Sequence, residues 1–334
     1  MSRSTQPNVA VLCGGVGAAR FLRGLLDVVE PAVVTGVVNV GDDTTVHGLH
    51  VSPDLDTITY TLAGAVNPDT GWGLTGETWQ AMEQLRTYAR SAGIDSGDEA
   101  AGWFSLGDRD LGTHLYRTSR LRAGASLTEV TAEITRAWGI EVALVPVTDG
   151  PVRTRVTLAD GRDLSFQEYF VREQHSVEVT EVRFDGADDV RPSAAAARAR
   201  HDADVLVIAP SNPIVSIEPL LSVPGIREAV EAARERTVAI SPIVGGAALK
   251  GPADRLMREL DLEPTAVGVA RWYAPLAATL VIDAVDHQLA SAVEAEGLRC
   301  VVTDTIMSRP GAGAELARVC LGAAVGDDGS ETVP

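Results

Sequence analysis

Lysine is almost missing from this chain: 28 of its 334 residues are basic, but Lys250 is the single lysine and the rest are arginine. Basic charge of either kind is scarce beside 46 Asp and Glu. The resulting net charge of −18 argues against a nucleic-acid partner, because such binding runs on phosphate neutralisation by Lys and Arg. Three cysteines (Cys13, Cys300 and Cys320) fall at no paired spacing. That argues against a disulfide framework or a zinc knuckle and fits a reducing compartment. No apolar stretch reaches the roughly 20 residues a membrane span needs, and the polar start, residues 1–8, lacks the apolar core of a signal peptide. The expectation is a cytoplasmic protein with no membrane partner. Two further patterns are missing. No Gly-x-Ser-x-Gly elbow supports covalent serine chemistry, and His47, His50, His114, His175, His201 and His287 are scattered without metal-type spacing. Of these only His114 sits within a motif.

What is present begins at Val9-Ala10-Val11-Leu12, a buried-type run that breaks into Cys13-Gly14-Gly15-Val16-Gly17-Ala18-Ala19-Arg20. A 3.6-period apolar stripe follows (Ala18, Ala19, Phe21, Leu22, Leu25, Leu26, Val29) and stops at Pro31. A second β-branched run, 33–40, makes this a βαβ unit and ends in Asn39-Val40-Gly41-Asp42-Asp43. A helix is expected over 57–65. Segments 141–147, 153–158 and 177–184 alternate like antiparallel strands, with Asp160-Gly161 as a hairpin turn. Ser126-Leu127-Thr128-Glu129 is a capping box for a helix ending at Gly139. Strands resume at 204–209, 237–240, 281–283 and 300–303. The expected fold is α/β: a Rossmann-like, doubly wound, mainly parallel sheet in three layers with an inserted mixed α+β subdomain. The core is assigned to 1–71 and 191–325, the insertion to 72–190, and a polar tail to 326–334.

In such a sheet, loops at the carboxyl ends of the strands share one crevice. A glycine loop lets backbone amides approach a phosphate where no Cβ intrudes. It is not a Walker A loop, since Ala18-Ala19-Arg20 replaces Gly-Lys-Ser/Thr. Nor is it the dinucleotide fingerprint, because Arg20 stands where a small residue belongs, which disfavours an NAD enzyme. Asp42 and Asp43 cap a strand, and Asp54 and Asp56 follow at Asp-x-Asp spacing. Magnesium takes one or two carboxylates, so one residue from each pair suffices. The plainer reading of Asp56 is a helix N-cap. Ser211 and Asn212, between Pro210 and Pro213, follow a core strand and suit either a phosphate contact or an Asx turn. Together these features point to a metal-assisted reaction on an anionic nucleotide. Lys250 reads as either a phosphate contact or a chance survivor of arginine bias.

Seven segments in order carry a family resemblance: GGVGAAR (14–20), NVGDD (39–43), SPDLDT (52–57), GDRDLGTHL (107–115), FQEYFVR (166–172), PSNPIVSI (210–217) and SPIVGG (241–246). They make the chain resemble the 2-phospho-L-lactate transferase family of coenzyme F-420 biosynthesis, including its phosphoenolpyruvate-dependent branch. Ala18 departs from the family, which usually has a further glycine there. The resemblance implies that a guanosine diphosphate derivative of a small organic acid passes its substituted phosphate to the terminal ribityl hydroxyl of the deazaflavin FO, and that GMP leaves. It implies Mg2+ held among Asp42, Asp43, Asp54 and Asp56, and catalytic roles for Asp42, Asp56 and Arg117. It assigns nucleotide contacts to Gly14, Gly15, Gly17, Ser211, Asn212, Gly245 and Gly246, and FO contacts to Asp54, Thr57, His114 and Arg172. A homodimer is implied in the same way. The rival is a related regulatory module that binds UDP-sugars without transfer chemistry. It shares the glycine loop but lacks the SPDLDT and FQEYF segments.

Overall fold

The computed structural model describes residues 6–94, 102–174 and 176–325. His175 and the tail expected at 326–334 lie outside the described residues. Seven strands build the central sheet: β1 Val9–Cys13, β2 Val34–Val38, β3 Ala143–Pro146, β4 Val205–Ile208, β5 Thr237–Ile240, β6 Thr279–Asp283 and β7 Arg299–Thr303. They lie in the order β7-β6-β5-β4-β1-β2-β3, and every pair is parallel. Strands β1, β4, β5 and β6 are buried along their whole length, which is why they read as unbroken apolar runs. Helices cover the sheet, giving the Rossmann-like α/β architecture expected.

The strand order places the site. From β1 the chain builds outward through β2 to β3, then returns and builds the other way from β4 to β7. The reversal falls between β1 and β4, and there a crevice opens at the carboxyl ends of the strands. The loops leaving those two strands are thereby joined: Gly14 N–H donates to Ser211 Oγ at 3.3 Å, and Ser211 Oγ–H donates to the Gly14 carbonyl at 2.8 Å.

Helix α1, Gly15–Leu26, buries the stripe Ala18, Ala19, Phe21, Leu22 and Leu25 against the sheet. Two of its glycines are required by close approach. A Cβ on Gly17 would lie 2.2 Å from the Pro210 carbonyl oxygen, so α1 rests on the β4 loop only because that atom is absent. A Cβ on Gly24 would lie 2.2 Å from Gly313 backbone, where the helix Ala312–Val325 crosses α1. The capping box expected at Ser126 and Glu129 is formed, with Glu129 N–H donating to Ser126 Oγ at 3.2 Å, on the helix Leu127–Ala137. Gly139 follows that helix with φ 70°.

Two expected elements differ. Segment 141–147, read as antiparallel, supplies β3, which pairs parallel with β2 at the sheet edge. Only Arg153–Leu158, Asp163–Ser165 and Val179–Asp185 form the separate antiparallel sheet. The helix expected over 57–65 starts earlier, as α2 Pro53–Leu62, because Pro53 at its first position already has helical φ. Ser52 occupies the N-cap position, so the N-cap reading of Asp56 fails. Asp54 and Asp56 both lie in the first turn of α2, where the helix dipole favours carboxylates. Among the described residues, no helix is long and apolar enough to cross a membrane.

Candidate active site

A cavity of about 580 Å³ opens over the β1/β4 switch point. The glycine loop (Gly14, Gly15, Gly17), Ser211 and Asn212 line its floor, and Asp42, Asp54, Asp56, Thr57 and His114 also reach it. Asp43, Arg117, Arg172, Gly245 and Gly246 are not on its wall, although Val244 is.

The aspartates divide into two groups. Asp42 and Asp54 are buried beside the glycine loop, and among the described residues no arginine or lysine pairs with either. Asp54 Oδ2 accepts from Asn39 Nδ2 at 2.9 Å, and the carboxylate also takes the Gly15 N–H. A Cβ on Gly14 would fall 2.5 Å from Asp54 Oδ2, so this glycine makes room for the carboxylate as well as for a ligand. Burial lifts the Asp54 carboxyl from 3.8 to about 6. Burial, then the charge of Asp54, pushes Asp42 well above the usual carboxylate range, and Asp42 Oδ1 is buried with no hydrogen-bond partner. Two adjacent buried carboxylates, one with an orphaned oxygen, form a donor set that a divalent cation would neutralise. Asp43 faces away, with its Oδ2 taking Ser52 Oγ–H at 2.8 Å and lying 2.9 Å from His50 Nε2.

Asp56 belongs to a second network with helix α3, Asp110–Arg122. Arg117, only 2 % exposed, clasps both Asp56 oxygens, with Nη1 at 3.1 Å from Oδ2 and Nη2 on Oδ1. Asp56 raises the Arg117 pKa in spite of burial, which acts the other way. His114 Nδ1 lies 3.7 Å from Asp56 Oδ2, and its Nε2 lies 3.3 Å from Asp110 Oδ2. Tyr60 O–H donates to Asp110 Oδ1 at 2.6 Å. Burial pushes the Asp110 carboxyl up, but His114 and Tyr60 outweigh it and hold the value low. Ligand-type atoms of Asp56, Asp110 and His114 fall within 4.8 Å of one another, close enough to share a metal ion. Arg117 already compensates Asp56, however, so Asp42 and Asp54 are the better-suited cation holders.

Sequence reading missed Asn39, Tyr60 and Asp110 as site residues. Asp110 and His114 stand at i, i+4, one face of a helix, and that spacing was the available signal. It also missed an aromatic wall. The chain has five Trp, five Tyr and five Phe. Of these Trp72, Trp103, Phe104, Phe166, Phe170 and Tyr60 line this one cavity. Phe166 and Phe170 stack with centroids 5.7 Å apart, and Arg172 sits behind, 5.8 Å over the Trp103 ring.

A Rossmann-like sheet with a cavity of small-molecule size at its switch point, floored by a glycine loop and carboxylates and walled by aromatic rings, defines an α/β protein of the small-molecule-binding kind. The sequence matches the family described as 2-phospho-L-lactate transferase CofD over residues 9–319, and the chain belongs to that family. Its relatives include a phosphoenolpyruvate transferase of Kitasatospora aureofaciens, 42% identical over 318 residues that cover 94% of this chain and 96% of that protein. Another, from Nocardia farcinica, is 39% identical over 324 residues, covering 95% of each. Among solved structures, a upf0052 family protein from Bacillus halodurans superposes with a TM-score of 0.60 at 17% identity, over 95% of this chain and 99% of that one. That last likeness extends to the fold.

Proposed function

We propose that this chain is a transferase of coenzyme F-420 biosynthesis. In this reading it moves a phosphoenolpyruvyl or phospholactyl group from its guanosine diphosphate derivative to the ribityl hydroxyl of FO, releasing GMP and giving dehydro coenzyme F-420-0 or coenzyme F-420-0. The observation that carries the reading is the meeting, in one cavity, of a glycine-loop floor at a helix N-terminus and a flat aromatic wall. The first suits a diphosphate and the second a deazaflavin ring. The relatives named phosphoenolpyruvate transferase favour the enolpyruvyl donor.

The proposed division of labour follows the chain. The core, 1–71 and 191–325, supplies the glycine loop, Ser211, Asn212 and the acidic pair. The insertion, 72–190, supplies Trp72, Trp103, Phe104, Phe166 and Phe170. The glycine loop of Gly14, Gly15 and Gly17, at the start of α1, forms the cradle for the diphosphate, its Gly14 and Gly15 amides exchanging Ser211 and Asp54 for phosphate oxygens, and Val244, ahead of the 245–246 turn, completes the nucleotide side. Asp42 and Asp54 would hold Mg2+, which when bound offsets charge on the diphosphate and the departing GMP. The FO hydroxyl oxygen forms the new P–O bond while the P–O bond to GMP breaks. Asp56 accepts the hydrogen bond of that hydroxyl and takes its proton. Arg117 fixes Asp56 in place, and Arg172 stiffens the aromatic wall through Trp103. In the same reading the protein is cytoplasmic and homodimeric.

Mass spectrometry of the product formed from FO, Mg2+ and each guanylylated acid tests the proposal. A phosphodiester of FO with one acid is expected. Absence of product, together with thermal stabilisation by UDP-N-acetylglucosamine and none by GDP or FO, would replace the transferase with a UDP-sugar-binding module.

A further inference from the structure

The single lysine of the chain stands on the wall of this cavity. Lys250 follows the small ribbon of Ile243–Val244 and Ala247–Ala248, and its Nζ donates to the Thr70 carbonyl at 2.8 Å. The ammonium lies beside the glycine loop. A Cβ on Gly71 would meet Lys250 Nζ at 2.9 Å and Val16 Cγ1 at 3.1 Å. Gly71 has φ +79°, so the chain at this point both turns and leaves space for the ammonium.

Among the described residues no carboxylate pairs with Lys250. Arg20, the other basic side chain of the Lys/Arg type on the cavity wall, also makes no ion pair. Elsewhere in this chain of net charge −18, arginines such as Arg120, Arg155, Arg183 and Arg271 are matched to carboxylates. A backbone carbonyl is a weak partner for an ammonium compared with a phosphoryl or carboxylate oxygen. The four-carbon stem of lysine lets the charge swing from one partner to another.

We infer that Lys250 is an anion-binding residue for the donor, its ammonium leaving the Thr70 carbonyl for a phosphoryl or carboxylate oxygen of the guanylylated acid. This deepens the proposed function and rests on it. Exchange of partner also frees the 67–74 turn, which carries Trp72, from its tie to the 247–252 segment as the donor enters.

The test compares wild type with Lys250→Gln and Lys250→Arg. It reads KM for enolpyruvyl-2-diphospho-guanosine at saturating FO, KM for FO, GDP affinity by calorimetry, and Tm. In Lys250→Gln the donor KM rises about tenfold or more while KM for FO stays within twofold, and Lys250→Arg recovers most of the loss. GDP binding weakened by the same factor assigns the contact to a phosphoryl oxygen. GDP binding unchanged assigns it to the carboxylate of the acid. A donor KM within twofold of wild type in Lys250→Gln overturns the inference. So does a rise shared equally by FO and accompanied by a lower Tm, because that marks a purely structural tie to Thr70. If wild type makes no product from any guanylylated acid, the transferase reading falls, and GDP affinity in Lys250→Gln then decides the inference: weakened supports it, unchanged overturns it.

Discussion

Replacing Asp54 by Asn is expected to raise stability and destroy function at once, in a pH-dependent way. Burial lifts the Asp54 carboxyl from 3.8 to about 6 in the folded protein. The folded state therefore holds the proton more tightly than the unfolded chain, the reverse of a salt-bridged aspartate. Below pH 3.8 the carboxyl is neutral in both states and costs nothing. Between there and pH 6 the cost grows, and above pH 6 it is constant at about 3 kcal/mol, at ~1.4 kcal/mol per unit. Asn removes that cost but presents an amide nitrogen to one of the two donors, Asn39 Nδ2 or Gly15 N–H, which takes back about 1–2 kcal/mol. The metal-free variant then gains about 1–2 kcal/mol at pH 8, or about 1.5–3 °C in Tm for a chain of this size. At pH 4.5, where the saving is only about 1 kcal/mol, it gains nothing. Differential scanning calorimetry in EDTA at the two pH values reads both. Added Mg2+ stabilises wild type at pH 8 and leaves the variant unmoved, and turnover falls about 100-fold or more. A variant less stable than wild type at pH 8, or one that keeps metal-dependent turnover, would refute the reasoning.

Arg117→Met leaves Asp56 buried without its cation and should cost about 3–5 kcal/mol in urea unfolding, with much of the loss restored in the Asp56→Leu, Arg117→Met double variant. Gly17→Ala forces a methyl into the Pro210 carbonyl and should lower stability by about 1–3 kcal/mol and weaken GDP binding. Gly112→Ala, on an exposed helical turn with nothing within 4 Å, should instead stabilise by about 0.5–1 kcal/mol in the same assay. Trp103→Ala should raise the steady-state KM for FO about tenfold and leave that for the donor unchanged.

The parallel core was legible because β1, β4, β5 and β6 are apolar on both faces, and each is followed by a polar or glycine-rich turn. β3 misled because it is an edge strand whose first residue, Ala143, is exposed, and its neighbours in sequence go on to a true antiparallel sheet. Cavity-lining residues at strand ends were legible too: Gly14, Asp42 and Ser211 are placed by the sheet itself. The partnership of Asp56 with Arg117 spans 61 residues, and no local pattern encodes it. The aromatic wall was hidden for the same reason, since Trp72, Trp103 and Phe166 converge only when segments far apart in the chain close over the crevice.

The crossing of Gly24 and Gly313 has a mechanical consequence. Two helices in backbone contact have no side-chain cushion to absorb sliding, so α1 and the helix Ala312–Val325 move as one stiff bracket. Any strain put on the latter, by a bulky residue at 313 or a fused cargo, would be transmitted along α1 to the amides that open it, some 300 residues earlier in the chain.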